Sequence, residues 1–388
     1  MRNVGIYVHI PFCKKKCYYC DFISYDNKKE KIEEYIKYLK YEIYETGEGT
    51  KLDLKNNLIE PLKITSIYIG GGTPSYIDSK YIIEIIKIIK KEFEVYDDAE
   101  ITIEINPGTV NEQKLIDYKN IGINRLSIGV QSNNNSLLNN IGRIHSYEEF
   151  LSTYKLARKI GFNNINLDFI IGLPNQTDKD INDLIHEIKR LSPEHISIYS
   201  LMIEENTKMY KDYINNVIKL PNEDIERKIY WKIKNNLESN GYIHYEISNF
   251  AKIGYESKHN LACWNQEEYM GFGVAAHSYT DGARYSNIPN IDEYIDNFKN
   301  NKDIDNIIFH EKQNNESKMK EYMFLGFRKI KGINVDDFYN KFKKDVFDIF
   351  SEELSKLIKI GLIETNNNYI KLTKKGLDLA NLVFEEFC

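Results

Sequence analysis

Tyr7-Val8-His9-Ile10-Pro11-Phe12-Cys13-Lys14-Lys15-Lys16-Cys17-Tyr18-Tyr19-Cys20-Asp21-Phe22 sets three cysteines at the spacing C-x-x-x-C-x-x-C directly after an apolar run at 5–10. The β-branched and aromatic residues of that run predict a strand and Pro11 ends it, so the thiols sit on a loop past a strand's C-terminal end. Three thiolates on one short loop can wrap one face of a cube-shaped [4Fe–4S] cluster, which normally takes four cysteines and therefore keeps one iron open here. A structural zinc is the alternative; it needs a fourth ligand, and His9 is near at hand on the strand. The run Lys14-Lys15-Lys16 either offsets cluster charge and favours the thiolates or is a solvated loop.

Outward from this loop, the first half alternates short β-branched runs with longer stretches of helical period, the pattern of successive β/α units around a parallel sheet. Strands are predicted at 5–10, 64–69, 99–105, 125–129, 165–170 and 195–200, with helices at 31–45, 80–93, 112–119, 147–160 and 178–191. Six units are fewer than a closed eight-fold barrel. The expected fold is therefore α/β, a partial (β/α)6 barrel, with ligand chemistry past the C-terminal strand ends. Gly70-Gly71-Gly72-Thr73-Pro74-Ser75 follows the second strand, where only glycine lets the backbone come so close to a ligand. Glu104 is a lone acid in an apolar strand and needs a partner such as ribose hydroxyls or an ammonium group. Gln131 follows the fourth strand, Arg143 lies in Ile141-Gly142-Arg143-Ile144-His145, and Asp168 interrupts the fifth strand. Taken singly, each of these could be a cap or a core hydrogen bonder.

The rest of the composition excludes several classes. The 388 residues allow two or three domains, and 42% hydrophobic with 28% charged residues suits a chain that buries a large core. A net charge of −6 argues against a nucleic-acid partner. No stretch approaches the roughly 18–20 apolar residues of a membrane span. The N-terminal apolar run is too short for a signal peptide, His9 and Pro11 interrupt it, and three lysines follow at once. Five cysteines, three of them within eight residues, do not make a disulfide framework. A cytoplasmic address and a metal are the inferences.

With these motifs in this order, the sequence resembles the radical S-adenosylmethionine (SAM) superfamily, whose signature is such a cysteine triad after the first strand of a six-unit partial barrel. The resemblance implies that Cys13, Cys17 and Cys20 hold a [4Fe–4S] cluster whose open iron chelates SAM, and that the reduced cluster splits the sulfonium to methionine and a 5′-deoxyadenosyl radical. Within the superfamily, the strand-end residues resemble the SAM-binding set of the oxygen-independent coproporphyrinogen oxidase-like branch. On that likeness Tyr7, Tyr19, Gly71, Gly72, Thr73, Glu104, Gln131, Arg143 and Asp168 surround the cofactor. The porphyrinogen decarboxylases of this branch carry a further cysteine two residues after the triad and an N-terminal extension. Here that position is Phe22, and the chain starts a few residues before Gly5. Both departures point to the sister group of heme chaperones, which the chain resembles over nearly its whole length, including 245–250, 271–278 and 321–328.

Past Ser200 the alternation stops. Residues 206–300, with an amphipathic helix at 225–237, read as an extension covering the barrel mouth after a barrel domain at 1–205. Residues 301–388 read as a helical, winged-helix-like domain, with a hairpin at 362–372 around Asn366-Asn367-Asn368 and Thr373 capping a last helix. That wing tip has no Lys or Arg, which favours a structural or protein-contact use over DNA. The heme chaperones carry a His-Asn-x-x-Tyr-Trp motif, and this chain reads His259-Asn260-Leu261-Ala262-Cys263-Trp264, with Cys263 in place of Tyr. The resemblance implies heme as a further cofactor, with His259 as axial iron ligand and Trp264 against the porphyrin. Cys263 is a thiolate ligand, an attachment point or a small core residue. The implied partners are heme-acceptor proteins, membrane-bound acceptors touched peripherally among them, and an electron donor for the cluster. Two alternatives stand beside this reading: oxidative decarboxylation of coproporphyrinogen III propionates to vinyls, and a non-catalytic scaffold stabilised by a metal. No catalytic residue is assigned. Replacing Cys13, Cys17 or Cys20 with Ala is expected to abolish the brown iron–sulfur absorption of anaerobically reconstituted protein, because two thiolates do not retain the cluster.

Overall fold

The computed structural model describes residues 2–56 and 59–388. In the first half β1 (Arg2–Ile10), α1 (Ile32–Lys55), β2 (Leu62–Gly71), α2 (Ser79–Glu92), β3 (Val95–Ile105), α3 (Glu112–Ile121), β4 (Arg125–Gln131), α4 (Asn135–Asn140), α5 (Tyr147–Ile160), β5 (Ile165–Ile171), α6 (Asp178–Leu191) and β6 (His195–Ser200) follow one another. Strands β1 to β6 pair in sequence order, all parallel. Their side chains alternate between two environments. Val4, Ile6, Val8 and Ile10 of β1, Leu126, Ile128 and Val130 of β4, and Ile165, Leu167, Phe169 and Ile171 of β5 are buried in the core under the helices. The intervening residues, among them Tyr7, Ser127, Asn166 and Asp168, form a polar lumen.

The helices begin and end where local chemistry dictates. Ser146 with Glu149 and Thr177 with Asp180 form reciprocal capping boxes at the starts of α5 and α6. Gly122 and Gly161, both left-handed, close α3 and α5. Helix α1 runs ten residues past the predicted end at 45 because Gly47 is a packing position: a Cβ there would lie 2.5 Å from Cβ of Glu92 on α2. The close approach of the two helices, and not a turn, explains that glycine.

The second half continues as α7 (Lys208–Ile214), α8 (Glu223–Ser239), β7 (Ile243–Glu246), β8 (Asn249–Ala251), α9 (Lys258–Trp264), β9 (Glu268–Phe272), β10 (His277–Thr280), β11 (Ala283–Asn287), α10 (Ile291–Lys299) and β12 (Ile307–Lys312). These strands lengthen the same sheet at both edges, giving the order β12-β11-β10-β9-β1-β2-β3-β4-β5-β6-β8-β7. Strand β9 joins β1 in parallel and β8 joins β6 antiparallel. The extension expected to cover the mouth thus runs along the sheet edges, and its helix α9 lies under the barrel beside Ser66 and Glu100. Residues 248–287 conceal β8 to β11 because each strand has only three to five residues, too few for a periodicity to register.

The last segment, α11 (Asn315–Gly326), β13 (Ile333–Asn334), α12 (Val335–Phe342), α13 (Val346–Ile349), α14 (Ser351–Lys359), β14 (Ile363–Asn366), β15 (Tyr369–Leu372), α15 (Lys374–Asp378) and α16 (Ala380–Glu385), packs on its own apolar core with a three-stranded sheet β13-β15-β14. The wing turns at Asn367 and Asn368, both with positive φ, as a two-residue hairpin requires. Thr373 caps α15, and the helix predicted to run on from it is broken into α15 and α16.

Glu42 of α1 ties the β9 edge to the barrel. Its carboxylate accepts hydrogen bonds from Gly273 N (2.8 Å), Asn287 Nδ2 (2.5 Å) and the Tyr294 hydroxyl (2.6 Å). Glu42→Ala leaves these buried donors unpaired and is expected to destabilise the chain by about 3 kcal/mol in urea unfolding.

Candidate functional site

The cysteine loop is tied down from three directions. Cys13 N donates to Tyr25 O (2.9 Å), Tyr18 N to Ile141 O (3.0 Å) and Met209 N to Tyr18 O (2.8 Å). Thr73 Oγ1 donates to Cys13 Sγ at 3.5 Å and Arg143 Nη1 to Cys17 Sγ at 3.6 Å. Burial raises the Cys13 thiol and pushes Cys20 up to about 11, so metal binding has to displace protons there. Arg143 also donates to Gly129 O (2.6 Å), and its buried Nε has no partner among the described residues. His9 uses both ring nitrogens, Nδ1 with the Tyr7 hydroxyl (3.0 Å) and Nε2 with Ile23 O (2.8 Å). It therefore offers no fourth ligand for a zinc, and the triad stands as a three-thiolate set suited to a cluster with an open iron.

The glycine turn is fastened to the same strand end. Gly72 N donates to Ile10 O (2.9 Å) and Thr73 N to Phe12 O (2.8 Å). At Gly71, φ is +107° and a Cβ would lie 2.6 Å from the His9 ring; at Gly72 one would lie 3.0 Å from Ile10 O. These glycines are needed as much for the approach of β1 as for any ligand.

Above the lumen opens a cavity of about 450 Å³ lined by the three cysteines, Tyr19, Gly71, Gly72, Thr73, Glu104, Gln131, Arg143 and Asp168. The structure thus brings together eight of the nine residues expected around the cofactor. The ninth, Tyr7, supports His9 from below. Glu104 accepts from the Tyr68 hydroxyl (2.8 Å) and Gly71 N (3.2 Å); burial, with the charge of Asp168, pushes its carboxyl up to about 7. Asp168 accepts from Ser127 Oγ (2.9 Å) and Asn166 Nδ2 (2.8 Å), and burial raises it as well. Gln131 has φ +64°, a left-handed bend at the end of β4. All lining residues come from 13–204; among them Phe22 and Met202 stand 61% and 66% exposed on the rim.

Sequence reasoning missed Tyr68, Ser127, Tyr199 and Arg125. The signal was present: Ser66/Tyr68, Thr102/Glu104, Arg125/Ser127, Asn166/Asp168 and Ser197/Tyr199 are polar pairs spaced by two within otherwise apolar strands.

The segment expected to present heme lies at the other end of the lumen. Glu100 receives the Lys258 and His259 amides and the Ser257 hydroxyl at the N-terminus of α9. His259 is buried, its Nδ1 2.9 Å from Ser66 Oγ and its ring stacked on Tyr68 at 5.2 Å. Burial lowers its pKa to about 4. Trp264 lies under the Arg328 guanidinium at 4.3 Å, and burial pushes the Cys263 thiol up to about 11.

Comparison with known proteins agrees with this geometry. Residues 7–188 match the Radical SAM superfamily and residues 313–379 the HemN C-terminal domain. Coproporphyrinogen III oxidase (HemN) of Escherichia coli has the same fold, with a TM-score of 0.84 at 23% identity over 100% of this chain and 90% of that one. The fold and site therefore define a radical SAM protein with a HemN-type C-terminal domain. The heme chaperones HemW of Lactococcus lactis subsp. lactis (strain IL1403) and Bacillus subtilis (strain 168) are 35% and 37% identical, each match spanning 98% of this chain and respectively 96% and 98% of the relative. The chain belongs to the HemW family of radical SAM proteins.

The carboxyl of Glu104 yields a sign for pH dependence. The folded chain holds this proton up to about 7 and the unfolded chain only to about 4.5, so stability falls as pH rises through that window. Urea unfolding near pH 5 and near pH 8 is expected to show a fall in the wild type that is about 2–3 kcal/mol smaller in Glu104→Gln.

Proposed function

We infer that this chain is a heme chaperone that binds a [4Fe–4S] cluster, S-adenosylmethionine and heme and passes heme to acceptor proteins. The observation that carries this reading is the end-to-end relationship to HemW chaperones, supported by an exposed Phe22 on the rim of the cofactor cavity. Cys13, Cys17 and Cys20 would hold the cluster, which supplies an open iron to chelate the cofactor and an electron for its sulfonium. Thr73 and Arg143 donate to the thiolate sulfurs and so stabilise their charge. The 70–73 turn presents backbone to the cofactor's methionine end, while Glu104 and Asp168 accept from its hydroxyl and ammonium donors. Tyr19, Gln131 and Arg143 complete the wall. An external electron donor would serve the cluster through the open mouth.

His259, Cys263 and Trp264 form the proposed heme segment. His259 reaches a heme iron only when α9 leaves the barrel floor, since its ring is buried against Tyr68 and Ser66. All five cysteines are unpaired, in keeping with a reducing cytoplasmic address, and no helix of the described residues is long and apolar enough to cross a membrane.

The deciding experiment titrates anaerobically reconstituted protein with heme, then supplies coproporphyrinogen III, S-adenosylmethionine and dithionite. Stoichiometric heme binding without a divinyl product is expected; turnover to protoporphyrinogen would make the chain an oxidase despite Phe22. In the same preparation Gly71→Val should weaken S-adenosylmethionine binding at least about tenfold while the cluster absorption persists, since the added side chain meets His9 and not the thiols.

A further inference from the structure

Helix α9 is held from both ends. At its start the Glu100 carboxylate takes two backbone amides. At its end the C-terminal domain supplies Lys329 Nζ to Asn265 Oδ1 (2.5 Å), Lys341 Nζ to Gln266 O (3.2 Å) and Glu321 Oε2 to Gln266 Nε2 (2.8 Å). Between these anchors one side chain points into the lumen. His259 bonds Ser66 and stacks on Tyr68 with ring planes 28° apart. Tyr68 also stacks with Tyr7 at 6.2 Å, and its hydroxyl donates to Glu104 Oε1 at 2.8 Å. The other Glu104 oxygen accepts from Gly71 N. A continuous line of contacts thus runs from the C-terminal domain through α9 to the carboxylate of the cavity.

We propose that His259 and Tyr68 are positioning residues for Glu104: the imidazole of α9 fixes the Tyr68 ring, and the Tyr68 hydroxyl aims and stabilises the carboxylate that receives the cofactor. This rests on the reading that Glu104 binds S-adenosylmethionine. The physical reason is that protein encloses the half-buried Glu104 carboxylate on every side except the one that faces the cavity. Such a carboxylate with two donors is ionised only as far as those donors support it, and Gly71 N is fixed by the turn. Tyr68 is therefore the donor that can be lost, and the ring that keeps it in place comes from the floor. It follows that whatever draws His259 away from Tyr68 weakens the cofactor site, and that bound cofactor holds α9 in place to the same extent.

The groups facing Glu104 are Tyr7 from β1, Tyr68 from β2, Arg125 from β4, Asp168 from β5 and Tyr199 from β6. Those facing His259 are Tyr68, Ser66, Glu100 and Arg125. The substitutions below change Tyr68, His259 or Glu104 alone and leave every other group named here in place.

The test is S-adenosylmethionine affinity of anaerobically reconstituted, heme-free protein, measured by calorimetry across neutral pH. The wild type is expected to bind more tightly as pH rises through about 7. Tyr68→Phe should move that midpoint up by roughly one pH unit and weaken binding near neutrality about tenfold. His259→Ala should move it the same way by a smaller amount, and His259→Phe, which keeps a ring against Tyr68, should restore it. Melting temperatures report folding separately. If Tyr68→Phe and His259→Ala fold but bind with the wild-type midpoint, the two residues only pack and the proposal fails. If Glu104→Gln folds and binds S-adenosylmethionine as tightly as the wild type, the assignment of Glu104 to the cofactor fails, and the inference with it.

Discussion

Two backbone hydrogen bonds, Gly72 N to Ile10 O and Thr73 N to Phe12 O, join the glycine turn to the strand end that launches the cysteine loop. Everything at the mouth depends on that join. It holds the cysteine loop and the glycine turn together at one strand end. It also explains why three glycines stand in a row: β1 and the His9 ring pass where side chains at 71 and 72 would be. Substitution there moves the cradle and leaves the thiols on their own tethers at Tyr25 and Ile141.

Below the mouth, the lumen carries a burden that an apolar barrel would avoid. Glu100 and Arg125 are buried, Glu104 and Asp168 line the cavity, and each is held by partners on neighbouring strands. Such a network costs desolvation and returns little net stability, so its value lies in fixed orientation. Burial raises the carboxyls of Glu104 and Asp168, which makes their charge conditional on donors such as Tyr68 and Ser127. A floor built from α9 keeps bulk water from the lower part of this network while sharing His259 with it.

The fold is shared with an enzyme, coproporphyrinogen III oxidase, at a TM-score of 0.84, so architecture does not choose between carrier and catalyst. Phe22 places an exposed aromatic ring on the rim, whereas the α9 imidazole faces inward, toward the cofactor carboxylate.

The six parallel strands and their order were legible from the chain alone, because each depends on local chemistry; the residues expected around the cofactor came from likeness to a family, and folding gathers eight of those nine with the three cysteines around one cavity. Alternating β-branched runs, capping pairs and a glycine at a strand end act over a few residues and leave a trace in the string. The short edge strands β9 to β11 left none, since four or five residues pairing with distant partners need no periodicity of their own. Nor could the string show that 206–300 would divide, with Met209 of α7 on the cysteine loop, α9 beneath the barrel and the strands along the sheet edges. Glu100 and Ser66, far away in sequence, provide the seat for α9, and only folding brings them to it. His259 is the sharpest case: its motif marks a candidate ligand, yet the folded chain buries the imidazole against Ser66 and the Tyr68 ring, because hydrogen-bond partners and water access are properties of the packed molecule.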